Sequence, residues 1–99
     1  MCDTGGMQQR SDTWVVIPAF NEAPVIGGVI AGVRAHFPRV LVVDDASGDD
    51  TAAIAHEAGA YVATHPLNLG QGAALQTGFE AALARGARYA ERSALPGLV

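Results

Sequence analysis

The feature that most constrains this chain is a rhythm: short apolar runs that end in polar junctions, each followed by a segment of helical periodicity. "TWVVIPA" (13–19) is apolar and rich in β-branched residues, with Pro18 near the point where a strand would leave its sheet. "RVLVVD" (39–44) is a continuous apolar run, as expected of a strand covered on both faces. "AYVATH" (60–65) is a third strand candidate. Between them, Pro24 to Phe37 places Val25, Ile26, Val29, Ile30, Val33 and Phe37 at helical spacing. A short helix is expected from about Asp50 to Ala58, stopped by Gly59. Another is expected from about Gln71 to Arg85, with Leu75, Phe79, Ala82 and Leu83 on one face and Gly86 closing it. The order β-α-β-α-β-α predicts an α/β, Rossmann-like fold with a short, mostly parallel three-stranded sheet and right-handed crossovers.

Ligands of such sheets sit beyond the carboxyl ends of the strands, where loops hand over to helices. That rule gathers "PAFNE", "DDASGDD" and "HPLNLGQG" on one edge. At 99 residues the chain is one domain at most, and nearly half its residues are apolar. A formal charge of −4 with no lysine argues against a nucleic-acid footprint or a polybasic membrane patch. It also excludes a Walker-type phosphate loop, which needs that ammonium. Cys2 is the only cysteine, so no internal disulfide and no cysteine metal cage can form, and a reducing, cytoplasmic location fits. No apolar run approaches membrane-spanning length. Residues 1–12 are expected to be a disordered tail, 13–89 the partial domain, and 90–99 an irregular tail where "AERS" and "PG" break the rhythm.

Each junction has a structural and a functional reading. Asp44 and Asp45 can be turn residues, or one can present its carboxylate to the N–H groups of a base or to a ribose hydroxyl. Neighbouring strand residues point to opposite sides, so only one of the pair can face a given ligand and the other is expected to brace loop N–H groups. In "SGDDT", Ser47, Asp49, Asp50 and Thr51 read as caps for the following helix. Asn21 or Glu22 can cap the preceding one, and Phe20 can plug the core or floor a flat pocket. "NLGQG" leads into a helix N-terminus and can receive a phosphate or ribose, although it lacks the dinucleotide-binding glycine spacing. His36, His56 and His65 have no partner at metal-ligand spacing and read as structural or exposed.

Together and in this order, "VVIPAFNE", "VLVVDDASGDDT" and "NLGQGAALQTGFEAA" resemble the N-terminal portion of a family 2 glycosyltransferase. This is the inverting group of GT-A fold that includes polyprenyl-phosphate mannose and glucose synthases. The resemblance runs from about Trp14 to Tyr89. It implies a nucleotide-sugar pocket, UDP- or GDP-linked, in which Pro18, Phe20 and Glu22 border base and ribose. Asp45 would hydrogen-bond the base with Asp44 beside it, while Asn68, Gly70 and Gly72 would shape the nucleotide-side wall.

The departure from the family is equally informative. Its members continue with a strand ending in an Asp-x-Asp motif that holds Mg²⁺ or Mn²⁺ against the diphosphate, then a catalytic base and an acceptor-binding half. After Tyr89 only Glu91 is acidic here. The resemblance therefore implies no cofactor, metal ligand or catalytic residue in this chain. The leaving diphosphate lacks a counter-charge, and the acceptor hydroxyl lacks a base. The expectation is an N-terminal piece, truncated or frame-disrupted, inactive alone and open to self-association through exposed sheet edges. The competing class is a non-catalytic α/β binding or interaction module. A receiver-like phosphoacceptor would need its acidic pair after the first strand and a later lysine, and is set aside.

Overall fold

The computed structural model describes residues 13–92. Four parallel strands, β1 (Thr13–Ala19), β2 (Arg39–Asp44), β3 (Tyr61–Thr64) and β4 (Tyr89–Arg92), form one sheet in the order β3-β2-β1-β4. Three helices alternate with them: α1 (Ala23–Arg34), α2 (Thr51–Glu57) and α3 (Gln71–Ala84). The alternating α/β class and parallel sheet agree with the sequence reading. The strand count is larger by one. The expected N-terminal tail lies outside the described residues, as do positions 93–99 of the expected C-terminal tail, whereas 90–92 belong to β4.

Side-chain alternation along the two central strands assigns each helix to a face. Val15, Ile17, Ala19, Val40 and Val42 point to one side, where they meet Ile26 and Ile30 of α1 and Ala55 of α2. Trp14, Val16, Leu41 and Val43 point to the other and meet Ala74 and Ala82 of α3. The register Val15↔Val40, Val16↔Leu41 and Ile17↔Val42 keeps like-facing residues side by side. Because both faces are covered, these strands read as unbroken apolar runs.

The contact with α3 is unusually close at Gly78, which is buried. A Cβ built there would lie 2.2 Å from Val16 Cγ1 and 3.1 Å from Val43 Cγ2. Only a glycine lets this helix backbone approach the sheet so nearly.

β4 pairs with the first half of β1, from Thr13↔Tyr89 to Val16↔Arg92. Pro18 lies beyond that last pair, so its missing N–H leaves no partner in β4 unmatched. The strand is short and on an edge. Its one inward residue, Ala90, is half-buried against the Trp14 cluster, while Tyr89, Glu91 and Arg92 are exposed. Charged residues suit an edge strand, since they discourage pairing with further chains. Ala90, Glu91 and Arg92, expected to fall in an irregular tail, instead belong to the edge of the sheet.

The order reverses direction between β1 and β4, and a crevice at such a switch point is where ligands of open α/β sheets bind. The opposite, amino-terminal end of the sheet is closed by aromatic packing. Trp14 and Tyr61 meet with centroids 4.9 Å apart, and Arg39 and Arg85 lie over the two rings.

Candidate functional site

At the carboxyl ends of β1 and β2 the first two junctions are tied to each other. Asn21 N–H donates to Ser47 Oγ at 2.8 Å, and Gly48 N–H returns a bond to Asn21 Oδ1 at 2.7 Å. Glu22 N–H donates to Thr51 Oγ1 at 2.9 Å, and Ala23 N–H to Asp49 Oδ2 at 3.3 Å. The residues expected to cap α2 thus largely cap α1. Asp49 also accepts from Thr51 N–H at 3.1 Å and from the Thr51 hydroxyl, which serves its own helix, but Asp50 makes no side-chain cap bond. The physical reason is local. Glu22, at the N-cap of α1, makes no side-chain cap bond, and Pro24 in the first turn contributes no N–H, so the cap comes from the neighbouring loop.

The third junction is held by Asp45. Its Oδ1 accepts from Leu69 N–H at 2.9 Å and faces His65 Nδ1 at 2.8 Å, and its Oδ2 accepts from Gly70 N–H at 2.8 Å. Burial alone would raise the pKa of Asp45. The bonds from Leu69, His65 and Gly70, with the coulombic effect of His65, more than offset it and hold the carboxyl below its ordinary value. An ionised carboxylate only accepts, so Nδ1 of His65 carries the hydrogen. Its Nε2 reaches Thr77 Oγ1 on α3 at 2.8 Å. His65 therefore ties the end of β2 to the first turns of α3.

Gly70 is the N-cap of α3 at φ 99°, ψ 164°, a region open essentially to glycine alone. That conformation turns the Gly70 N–H toward Asp45 while its carbonyl accepts the first helical bond, from Ala74. The first turn of α3 has no acidic residue of its own. Asp45, reaching in from β2, places a negative charge at that positive helix end. Next to it, Ala46 sits at φ 67°, a left-handed backbone that costs an alanine about 1 kcal/mol.

These junctions enclose a cavity of about 180 Å³ lined by Pro18, Ala19, Phe20, Asp45, Asn68, Gly70, Gln71 and Ala74. Three separate stretches of chain thus converge on one opening, as the edge rule requires. Five of the eight residues singled out from the sequence line it: Pro18, Phe20, Asp45, Asn68 and Gly70. Glu22, Asp44 and Gly72 are not among the lining residues. Glu22 is engaged through its backbone in capping, and Asp44 Oδ1 takes Ser47 N–H at 3.1 Å. Both acidic residues at the strand end therefore brace loops, and only Asp45 also borders the cavity. Ala19, Gln71 and Ala74 complete the lining, with His65 and Thr77 positioned behind it. A larger groove of about 420 Å³ runs along α1 beside β4, lined mainly by Val15, Gly28, Val29, Val33 and Phe37. His36, Glu91 and Arg92 also line it, and it shares no residue with the cavity at Asp45.

The family model of glycosyl transferase family 2 matches residues 14–87. The chain belongs to that family. It is 41% identical over 75 residues to an uncharacterized protein of Methanocaldococcus jannaschii, covering 75% of this chain and 31% of that one. It is 43% identical over 68 residues to an uncharacterized glycosyltransferase of Mycobacterium tuberculosis, covering 69% and 30%. The chain therefore spans less than a third of the length of these relatives. Among solved structures, the glucosyl-3-phosphoglycerate synthase of M. tuberculosis superposes with a TM-score of 0.65 at 30% identity, over 78% of this chain and 32% of that one. The mannosyl-3-phosphoglycerate synthase of Rubrobacter xylanophilus does so with a TM-score of 0.65 at 25% identity, over 76% and 30%. The M. tuberculosis synthase has also been crystallised with Mn²⁺, UDP and glucosyl-3-phosphoglycerate. The described residues thus have the incomplete GT-A, Rossmann-like fold expected from the motifs.

The residues described here do not fit a divalent metal. Among them no three His, Cys, Asp or Glu side chains converge, and the carboxylates of Asp44, Asp45 and Asp49 are turned to protein donors. Nor is any helix of the described residues long and apolar enough to cross a membrane.

Proposed function

We propose that residues 13–92 form the base-binding part of a nucleotide-sugar site in a family 2 glycosyltransferase, and that they do not transfer sugar by themselves. The observation that carries this reading is the single cavity joining Phe20, Asp45 and Gly70 at the switch-point edge. Its size supports a partial site. At about 180 Å³ it is smaller than the roughly 300–1,000 Å³ of a pocket that encloses a whole drug-sized ligand. A base fits that scale; a nucleotide sugar does not.

The chemistry of the lining narrows the base. An anionic Asp45 repels a base whose central pairing atom is an acceptor, as in cytosine or adenine, and attracts one with an N–H there, as in uracil or guanine. Phe20, 38% exposed at the rim, offers a flat face for stacking. The UDP complexes of the mycobacterial synthase favour a uridine nucleotide. As to the acceptor, the solved neighbours are named for 3-phosphoglycerate, which makes that acceptor worth testing beside polyprenyl phosphate.

Inactivity of the piece follows from what its residues supply. Among the described residues no carboxylate cluster faces the cavity to hold a metal, and Asp45, the acid that does face it, is bound to three donors. Titrating the chain with UDP while recording amide chemical shifts tests the binding reading. Shifts centred on Phe20, Asp45 and Gly70 are expected; a response elsewhere, or none, refutes it. Sugar transfer from UDP- or GDP-sugars to polyprenyl phosphate or 3-phosphoglycerate, with Mg²⁺ or Mn²⁺, would refute the second clause.

A further inference from the structure

We infer that His65 is a specificity-positioning residue: by occupying Asp45 Oδ1 it leaves the pocket one carboxylate acceptor and so favours uracil over guanine. The inference rests on the base-binding reading above and goes beyond it by assigning a role to a residue outside the lining.

A carboxylate has about four places for incoming donors, two on each oxygen. On Oδ1 both are taken, by His65 Nδ1–H at 2.8 Å and Leu69 N–H at 2.9 Å. Oδ2 holds Gly70 N–H at 2.8 Å and keeps one place. The side chains of His65 and Asp45 are only 9% and 7% exposed, so water does not readily replace the imidazole. The ring cannot swing away without breaking its second bond, 2.8 Å from Nε2 to Thr77 Oγ1. Asp45 is thus presented to the cavity as a one-site acceptor.

The pairing edges of the two candidate bases differ in the corresponding respect. Uracil offers a single N–H between two carbonyls and needs one acceptor. Guanine offers two parallel N–H donors, which match a carboxylate only when both oxygens are open. With Oδ1 full, one guanine donor enters the site unpaired, a penalty equivalent to about ten- to hundred-fold in affinity.

The test compares UDP and GDP dissociation constants, by calorimetry or chemical-shift titration, for the natural chain, His65→Leu and His65→Asn. The natural chain is expected to prefer UDP by at least about ten-fold. His65→Leu, which opens a place on Oδ1, should reduce that ratio about ten-fold, while His65→Asn, whose amide can still donate to Asp45, should largely retain it. A structural role alone would weaken both nucleotides together and leave the ratio unchanged, which overturns the inference. If His65→Leu does not fold, Thr77→Val frees the ring without touching Asp45, and a ratio unmoved in that variant is equally adverse. Binding of both nucleotides with an unchanged ratio refutes only the role of His65; binding of neither by the natural chain refutes the nucleotide reading itself.

Discussion

Asp45 shows how one side chain can hold a fold together while bordering a cavity. It accepts three hydrogen bonds from the 65–70 loop, and these bonds hold its pKa below the ordinary carboxylate value although burial acts the other way. The sign of the consequence follows from that direction. A depressed carboxyl stabilises the fold above its unfolded value of roughly 3.9, and that stability is lost as pH falls through the lower folded value. Asp49 is depressed as well, chiefly by the Thr51 hydroxyl. Urea midpoints should therefore be flat near neutrality and drop below about pH 4. Asp45→Ala should cost about 3 kcal/mol near pH 7 and flatten part of that acid limb, because the titrating group is gone. An acid limb of undiminished size in the variant would mean that Asp45 is not its source. The location of this residue was legible in the sequence, since an acidic pair closing a buried strand stands out. Its hydrogen-bonding partners were not. His65 precedes a proline in a loop, where no periodic pattern assigns a histidine to a face, and Thr77 looks like any polar residue on a helix.

Among the elements, the strands differ in how plainly they could be read. β1 and β2 match the expected 13–19 and 39–44 because a strand covered on both faces must be apolar throughout. β4 escaped because an edge strand of four residues with one half-buried side chain carries no such signal. Helix α3 was expected from a face of Leu75, Phe79, Ala82 and Leu83, yet of these only Ala82 is buried and Leu83 is exposed. The residues that decide its seating are small. Ala74, Gly78 and Ala82 are the buried ones. Gly78→Ala tests this directly, since the new Cβ would fall 2.2 Å from Val16 Cγ1 and force the helix outward. A loss of about 1–3 kcal/mol is expected, with part of it restored by Val16→Ala in the same chain. Because Gln71 and Ala74 of α3 line the cavity, UDP affinity should fall in parallel. Full stability of the single variant would show that α3 does not sit as closely as described.

On the scale of the whole molecule, charge and shape suit the proposed base site better than they suit a diphosphate. The chain carries a formal charge of −4, and none of the described residues lining the cavity is cationic. In water-excluded sites the groups that neutralise a diphosphate contribute much of the affinity and most of the catalytic effect, whether they are metal ions or arginines. In the proposed site the lining supplies an aromatic ring, one carboxylate and a helix start, all suited to a base. The phosphates then gain little beyond what the N-terminus of α3 provides, and the net negative field opposes them. Uridine and UDP should accordingly bind with dissociation constants within about three-fold of each other, near 1 mM or roughly −4 kcal/mol. Adding Mg²⁺ or chelating it with EDTA should change neither. A UDP affinity at least about a hundred-fold above that of uridine, or one that collapses on chelation, would require a diphosphate site within this same chain. The division between recognising a base and activating a sugar would then be wrong, even if the cavity at Asp45 were right.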